Sequence, residues 1–283
     1  MPFGADVVDT LLDPWRSEVT TRALVETLLI AVAAGPLGCW VVLFGLSYSA
    51  ESLAHAMLPG LVIAALAGFP LLLGAALGVA IAAPGIALAG RLPTIGADTA
   101  IAIVVTSLVG AGALLALAPE TPAGLQELLF GDVLGVSGGE LALTVALAGV
   151  VLAALRLAHG KLLTVGFDRA NAGAFGVSPC AADAIVLLLV GAFTVVAVQA
   201  LGTLLVLAML VGPAATARLV VHRLPAMMAL ATSIAGVSAA GGLYLSYYAN
   251  TAAGASIAAV VVVIHLATVA LQTRPVARLE PAP

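Results

Sequence analysis

From Thr27 to Ala50 the chain carries no aspartate, glutamate, lysine or arginine, and the same holds for residues 52–90, 99–119, 141–155, 184–217 and 224–273. Few folds can use such runs. A helix crossing the hydrocarbon of a bilayer needs about 20 mostly apolar residues. Backbone amides and carbonyls at that depth must bond one another, which leaves helices or closed barrels. Barrel strands alternate apolar and polar residues over about ten positions, and these runs are too long and too continuous for that. They read as helices: one in 27–50, two in 52–90 parted near Gly68-Phe69-Pro70, one in 99–119, and a short one in 141–155. Two more lie in 184–217, parted near Ala200-Leu201-Gly202, and two in 224–273, parted at Tyr247-Tyr248-Ala249-Asn250. The fold class is all-α, a polytopic membrane bundle of about eight or nine transmembrane helices.

Composition agrees. Charged residues make up 8% and hydrophobic residues 63% of the 283, where a soluble chain carries about 25% charged residues. The net charge of −4 is thinly spread and Lys161 is the sole lysine, so no basic stripe for nucleic acid exists. Two cysteines, Cys39 and Cys180, are too few and too far apart for a disulfide framework or zinc knuckle, and read as small apolar fillers. Residues 1–22, with Asp6, Asp9, Asp13, Arg16, Glu18 and Arg22, do not have the flank of a cleavable signal peptide. They are expected to form an N-terminal segment on the membrane surface, followed by a transmembrane domain over 23–272 and a tail over 273–283.

Basic residues set orientation. Arg91, then Arg156, Lys161 and Arg169, then Arg218 and Arg223, then Arg274 and Arg278 fall in alternate connections, while the 119–140 connection has Glu120, Glu127, Asp132 and Glu140 and no base. The basic connections are expected in the cytoplasm and the acidic one outside. Two counts stay open. Nine spans put Arg16 and Arg22 outside, against the rule; eight spans, with a short or re-entrant segment around Pro59, put the N-terminus inside.

Charges within a span are costly and mark function by default. Glu51 and His55, in Glu51-Ser52-Leu53-Ala54-His55, are four residues apart and so project from one helix face. A carboxylate and an imidazole together form half of a divalent-metal site, suited to zinc or manganese; the bland alternative is a structural ion pair at a helix end. The order is not that of the zinc-protease helix motif. His265, in the middle of the last apolar run, is a weaker metal candidate and reads more simply as an interhelical hydrogen bonder. His159 and His222 sit in basic connections and read as solvated. Asp98 reads as an N-cap, and Pro213 is expected to kink its helix. The only Gly-Lys pair, Gly160-Lys161, is followed by Leu162, so no phosphate-binding loop of the P-loop type is present. In the connection 156–183, Asp168 could start a short helix that Gly176 and Pro179 end, a plausible docking knob or an ordinary interfacial helix.

Six stretches, in order, resemble the membrane permease subunit of bacterial ABC importers for zinc, manganese and related metals. They are Ala50 to Gly60, Ala97 to Ile103, Leu129 to Leu134, Phe167 to Pro179, Gly202 to Val206 running into Pro213 to Ala217, and Leu245 to Tyr248 before Ala253 to Ala255. The resemblance implies a multi-pass protein of the bacterial cytoplasmic membrane, with no catalytic residue and no cofactor of its own. It also implies a homodimer, two cytoplasmic ATPase subunits that hold the ATP, and an extracytoplasmic metal-binding protein. Glu51 and His55 would touch the ion, zinc first and manganese next. The family's first motif reads Gly-Asp-x-x-x-His; here Ala50 and Glu51 replace Gly and Asp, and the acid reaches one methylene further. Phe167, Asp168, Arg169, Ala172, Phe175 and Gly176 would lie in the coupling helix against the ATPase, within a coupling region of about 156–180. Glu127 and Asp132 would face the binding protein.

Other classes predict other features. A permease for iron chelates or cobalamin would be longer and need no acid–His pair. A secondary transporter working without ATP would show internal repeats, which are not visible. An intramembrane enzyme would need groups such as paired intramembrane aspartates, which the chain lacks.

Overall fold

The computed structural model describes residues 13–89, 96–119 and 133–272. Among these every regular element is helical. A 3-10 turn, Asp13–Arg16, leads into α1 (Glu18–Leu43), α2 (Ser47–Ala56), α3 (Leu58–Ala67), α4 (Leu71–Ala89) and α5 (Ala97–Leu115). After α6 (Gly138–Phe167) come a second 3-10 turn, Ala172–Phe175, and then α7 (Pro179–Val220), α8 (Leu224–Ala249) and α9 (Ala253–Gln272).

The breaks fall where the chain carries residues that tolerate left-handed backbone. Gly68 (φ 72°) ends α3 and Asn250 (φ 52°) ends α8. Between α2 and α3, Met57 keeps right-handed helical dihedrals, so Ser47–Ala67 acts as one span of 21 residues. At ~1.5 Å per residue it reaches about 31 Å, enough to cross. It is therefore not a short re-entrant piece.

α7 is 42 residues long and would measure about 63 Å if straight. It is not straight. Gly202 has φ 74° and ψ 163°, a region open essentially to glycine alone. The chain doubles back there, because both ends of α7 lie at one end of the bundle. Its start is tied by Asp183 to Arg169, just beyond α6. Its finish, Arg218 to Val221, borders Leu43, whose neighbours Trp40 and Phe44 meet Gly166 near the end of α6. Pro213, expected to bend this helix, keeps helical dihedrals. α7 thus supplies two apolar segments, Pro179–Val198 and Leu205–Val220, and with Leu71–Ile86 they bring the apolar segments among the described residues to nine.

α1 and α7 form the centre. Ile30, Leu37 and Trp40 of α1 and Phe193, Leu201, Leu205, Met209 and Leu210 of α7 are all buried. In lipid, apolar surface gains nothing by leaving the solvent, so close van der Waals packing of small residues holds helices together. Gly60 of α3 shows how close: a Cβ there would sit 2.1 Å from the Gly74 carbonyl oxygen of α4.

Five expectations are corrected. α1 starts at Glu18, inside the stretch assigned to a surface segment, and carries Arg22 and Glu26 within the helix. α6 runs 30 residues, to Phe167, so Arg156, His159 and Lys161 lie on a helix and not in a connection. At about 45 Å it exceeds the hydrocarbon thickness, and its basic final turns can stand beyond it. His159 is not simply solvated; its ring meets Trp40 edge-on, centroids 5.8 Å apart. The N-cap of α5 is Gly96, with Asp98 one residue inside the helix start. Cys39 is buried, but Cys180 is exposed at the start of α7.

Candidate functional site

Glu51 and His55 lie on α2, Glu51 exposed and His55 half-buried. The rest of that helix is fixed. Ala50, Leu53, Ala54, Ala56 and Met57 are 0–1% exposed, in contact with α4, α5 and α7. Below it α3 is clamped: Cβ atoms on Gly78 of α4 and Gly112 of α5 would fall 2.8 and 2.9 Å from Met57 and Pro59 backbone atoms. The acid and the imidazole are therefore presented on a rigid rod, along a stripe that continues through Tyr48 and Ile63, 38% and 47% exposed. No third His, Cys, Asp or Glu joins them, since no group of three such residues with metal-holding geometry exists among the described residues. One copy offers at most two donors here.

His265 is engaged elsewhere. The Thr216 hydroxyl of α7 donates to the Gly212 carbonyl at 2.7 Å and lies 2.9 Å from His265 Nδ1. The Thr216 hydroxyl and His265 Nδ1 are within hydrogen-bond distance, and which of them donates follows the imidazole tautomer. His265 thereby joins α9 to α7, the interhelical role its solitary position suggested.

The connection after α6 departs from its expected form. Asp168 does not start a helix. It caps the end of α6, and its carboxylate accepts from the Asn171 backbone N–H (3.1 Å) and side-chain amide (2.7 Å). These bonds hold its carboxyl below the usual carboxylate range. The helix that follows is one 3-10 turn, Ala172–Phe175, ended by Gly176 in left-handed conformation. Pro179 begins α7 instead of ending this turn, with Ser178 as its N-cap. Arg169 forks onto the Asp183 carboxylate through two hydrogen bonds, which raise its already high pKa. The segment is thus pinned at both ends, while Phe167 and Phe175 are 92% and 74% exposed. Glu127 and Asp132 lie outside the described residues.

One buried charge escaped the sequence reading. Glu26 is 1% exposed; its Oε1 accepts from the Thr144 hydroxyl of α6 at 2.7 Å, and its Oε2 has no partner. The signal was its phase. Ala23, Glu26, Ile30, Ala33 and Leu37 follow one another at three or four residues and all are buried, so Glu26 belongs to the inner stripe of α1. A Gly-x-Ser-x-Gly spacing, that of a nucleophile elbow, also escaped the sequence reading, at Gly135-Val136-Ser137-Gly138-Gly139. Ser137 is instead the N-cap of α6, in a reciprocal capping box with Glu140.

Comparison with known proteins gives this arrangement its setting. Residues 16–272 match the model of a family described as "ABC 3 transport family". The manganese transport system membrane protein MntC of Listeria monocytogenes is 34% identical over 243 residues, covering 86% of this chain and 87% of its own length. The chelated iron transport system membrane protein YfeC of Yersinia pestis is 28% identical over 260 residues, covering 92% and 88%. A solved structure of PsaBC from Streptococcus pneumoniae in complex with Fab superposes with a TM-score of 0.82 and 28% identity, covering 93% of this chain and 95% of that one. The resemblance read from six short stretches holds over nearly the whole described chain, and the chain is a transport component and not an enzyme. It belongs to the ABC 3 transport family, as a multi-pass permease of a metal-ion ABC importer.

Proposed function

We propose that this permease imports a divalent first-row metal ion, driven by ATP hydrolysed on separate cytoplasmic subunits. An extracytoplasmic binding protein delivers the ion, and two copies of the chain bring Glu51 and His55 together across their interface in the bacterial cytoplasmic membrane. The observation that carries it is the pair itself: an acid and an imidazole on one open face of an otherwise buried helix, with no third donor among the described residues. Two donors from each of two copies make four. Four ligands that separate when the subunits move suit a path that must release its ion as well as bind it.

Manganese is the favoured cargo. Zinc ranks higher in affinity for nitrogen and oxygen donors generally, and was the first choice on residue chemistry alone. The relatives point the other way, since the Listeria protein is named for manganese and the Yersinia protein for chelated iron. The exposed Phe167 and Phe175, beside the Arg169–Asp183 pair, support an ATPase-facing role for Phe167, Asp168, Arg169, Ala172, Phe175 and Gly176. The acidic 119–140 connection, with Glu127 and Asp132, would face the binding protein.

The test is ATP-dependent uptake of radioactive manganese, zinc and iron into vesicles holding the assembled complex and its binding protein. Wild type is compared with Glu51→Ala and His55→Ala. Both variants should assemble and lose uptake, with manganese the best cargo of the wild type. Normal uptake by both would make the pair structural. Zinc outrunning manganese would restore the first choice.

A further inference from the structure

The end of the bundle that carries the basic connections holds a cavity of about 260 Å³, bordered by Leu43 of α1, Arg218 and Val221 at the finish of α7, His222, and Leu224 and Met227 of α8. Liquid water occupies roughly 30 Å³ per molecule, so the space takes a group far larger than one water.

Its charge is one-sided. Arg218, His222 and Arg223 are exposed within six residues of one another, and none forms an ion pair among the described residues. Arg218 is not spent on the helix end either. The Leu219 carbonyl, which a last-turn arginine could have capped, accepts instead from the Gln272 side-chain amide of α9. α8 opens beside the cavity, which its Leu224 and Met227 line, and no side chain caps its first turn.

The surroundings are membrane-like and not those of a water-filled pocket. Leu219 and Val220, beside Arg218, are 37% and 55% exposed, and they sit in the last turn of an apolar segment. Buried Met227 forms part of the opposite wall. Cationic heads flanking an apolar wall at a span's end reproduce the two chemistries of a phospholipid, an anionic phosphate above an acyl chain.

We propose that this cavity binds the phosphate headgroup of an anionic phospholipid, with Arg218 and His222 lining it and Arg223 at its edge, and with Leu219 and Val220 against the acyl chains. A protein partner is the less favoured occupant, because the apolar rim belongs to a span and not to a surface that projects beyond it.

The complex of this chain with its ATPase subunits, delipidated in detergent, would be titrated by native mass spectrometry with dioleoylphosphatidylglycerol, dioleoylphosphatidylcholine or inorganic phosphate. Wild type should hold the anionic lipid about tenfold more tightly than the zwitterionic one, the scale set by a few basic residues at a membrane surface. Arg218→Gln/His222→Gln/Arg223→Gln should lose that preference, and Arg218→Lys should keep it. Because all three side chains are exposed, the triple variant should fold; Arg218→Gln alone, with a partial loss, is the second test. Undiminished preference in both variants would overturn the proposal. So would inorganic phosphate binding as tightly as the lipid, which would make the ligand a free anion. A triple variant that sheds its ATPase subunits yet keeps the lipid preference would assign the cluster to the protein contact and overturn it too.

Discussion

The Glu26 carboxylate of α1 and the Thr144 hydroxyl of α6 are hydrogen-bonded at 2.7 Å, with 1% and 2% of the two residues exposed. The contact joins the early turns of both helices, so the start of α1 lies at the end of the bundle where the acidic connection feeds α6. Tyr247, near the end of α8, donates to Asp13 at that same end. With nine apolar segments, this is the arrangement that keeps every basic connection at the opposite end. Arg22, which counted against it, is paired with Glu18 at 2.6 Å. Thr144→Val should leave the buried carboxylate without any partner and cost about 1–3 kcal/mol. Glu26→Gln retains an acceptor for Thr144 and should cost less. Melting temperatures of the two variants in one detergent give the comparison, and equal melting would mean that the contact contributes nothing.

Gly202 and Gly176 both have positive φ, 74° and 71°, but ψ is 163° at the first and 16° at the second. Alanine at Gly176 enters the ordinary left-handed helical region, at about 1–2 kcal/mol. Alanine at Gly202 enters a region that non-glycine residues hardly visit, at the point where α7 doubles back, and the cost can reach about 3 kcal/mol. Gly202→Ala should therefore lower both melting temperature and yield of folded protein more than Gly176→Ala does. The reverse order would mean that the reversal at Gly202 does not depend on its dihedrals.

Much of this was legible in the sequence because glycine and asparagine interrupt apolar runs visibly. Gly68, Gly202 and Asn250 break the chain at or beside the expected places. Glu51 and His55 stood out because a carboxylate and an imidazole four residues apart are costly beside apolar runs, whether they meet an ion or pair with one another. Glu26 was missed because the first span was taken to begin at the first charge-free residue, whereas a helix can bury an acid that finds a hydroxyl on another helix. α6 looked short for the same reason: Arg156 and Lys161 end a charge-free run without ending a helix. Whether an arginine lies in a loop or on a helix that outruns the bilayer depends on tertiary contacts, such as His159 on Trp40.

The Arg169–Asp183 pair should matter more for transport than for stability. Its side chains are 51% and 21% exposed, and a solvated pair of this kind contributes under about 1 kcal/mol. Arg169→Gln and Asp183→Asn should thus change melting little. If this pair holds the exposed turn at the start of α7 while an ATPase pushes on it, each variant should lower uptake severalfold, and the exchange Arg169→Asp/Asp183→Arg should recover part of the loss. Wild-type uptake in both single variants would remove the pair from the coupling path.

Asp168 provides a pH test of the same turn. Its folded carboxyl titrates below the usual range because it accepts the Asn171 bonds. A depressed folded value means that the turn gains from ionised Asp168 at all pH above the unfolded carboxylate value, and loses that gain as pH falls through the lower folded one. The Asn171 side-chain amide, followed by NMR in selectively labelled complex, should keep its bonded shift through the ordinary carboxylate range and change only below it. A change centred on the ordinary value would show that Asn171 does not hold the charged form.

Glu51→Asp tests the ion path without removing it. Aspartate, the residue that the resemblance implies at this position, withdraws the carboxylate by one methylene while keeping its charge and its place four residues before His55. α2 cannot shift to compensate, because Ala50, Leu53, Ala54 and Ala56 are packed to 0–1% exposure. If Glu51 holds the ion as proposed, the change in carboxylate reach must fall on the ion. Manganese tolerates oxygen-rich and looser coordination, whereas zinc favours short tetrahedral contacts with nitrogen. The substitution should preserve uptake but alter the ratio of manganese to zinc transported, while Glu51→Gln, which keeps the length and loses the charge, should abolish uptake of both. Competition of the two ions for uptake in one vesicle preparation reads the ratio directly. An unchanged ratio in Glu51→Asp, together with full uptake in Glu51→Gln, would mean that the carboxylate never touches the metal.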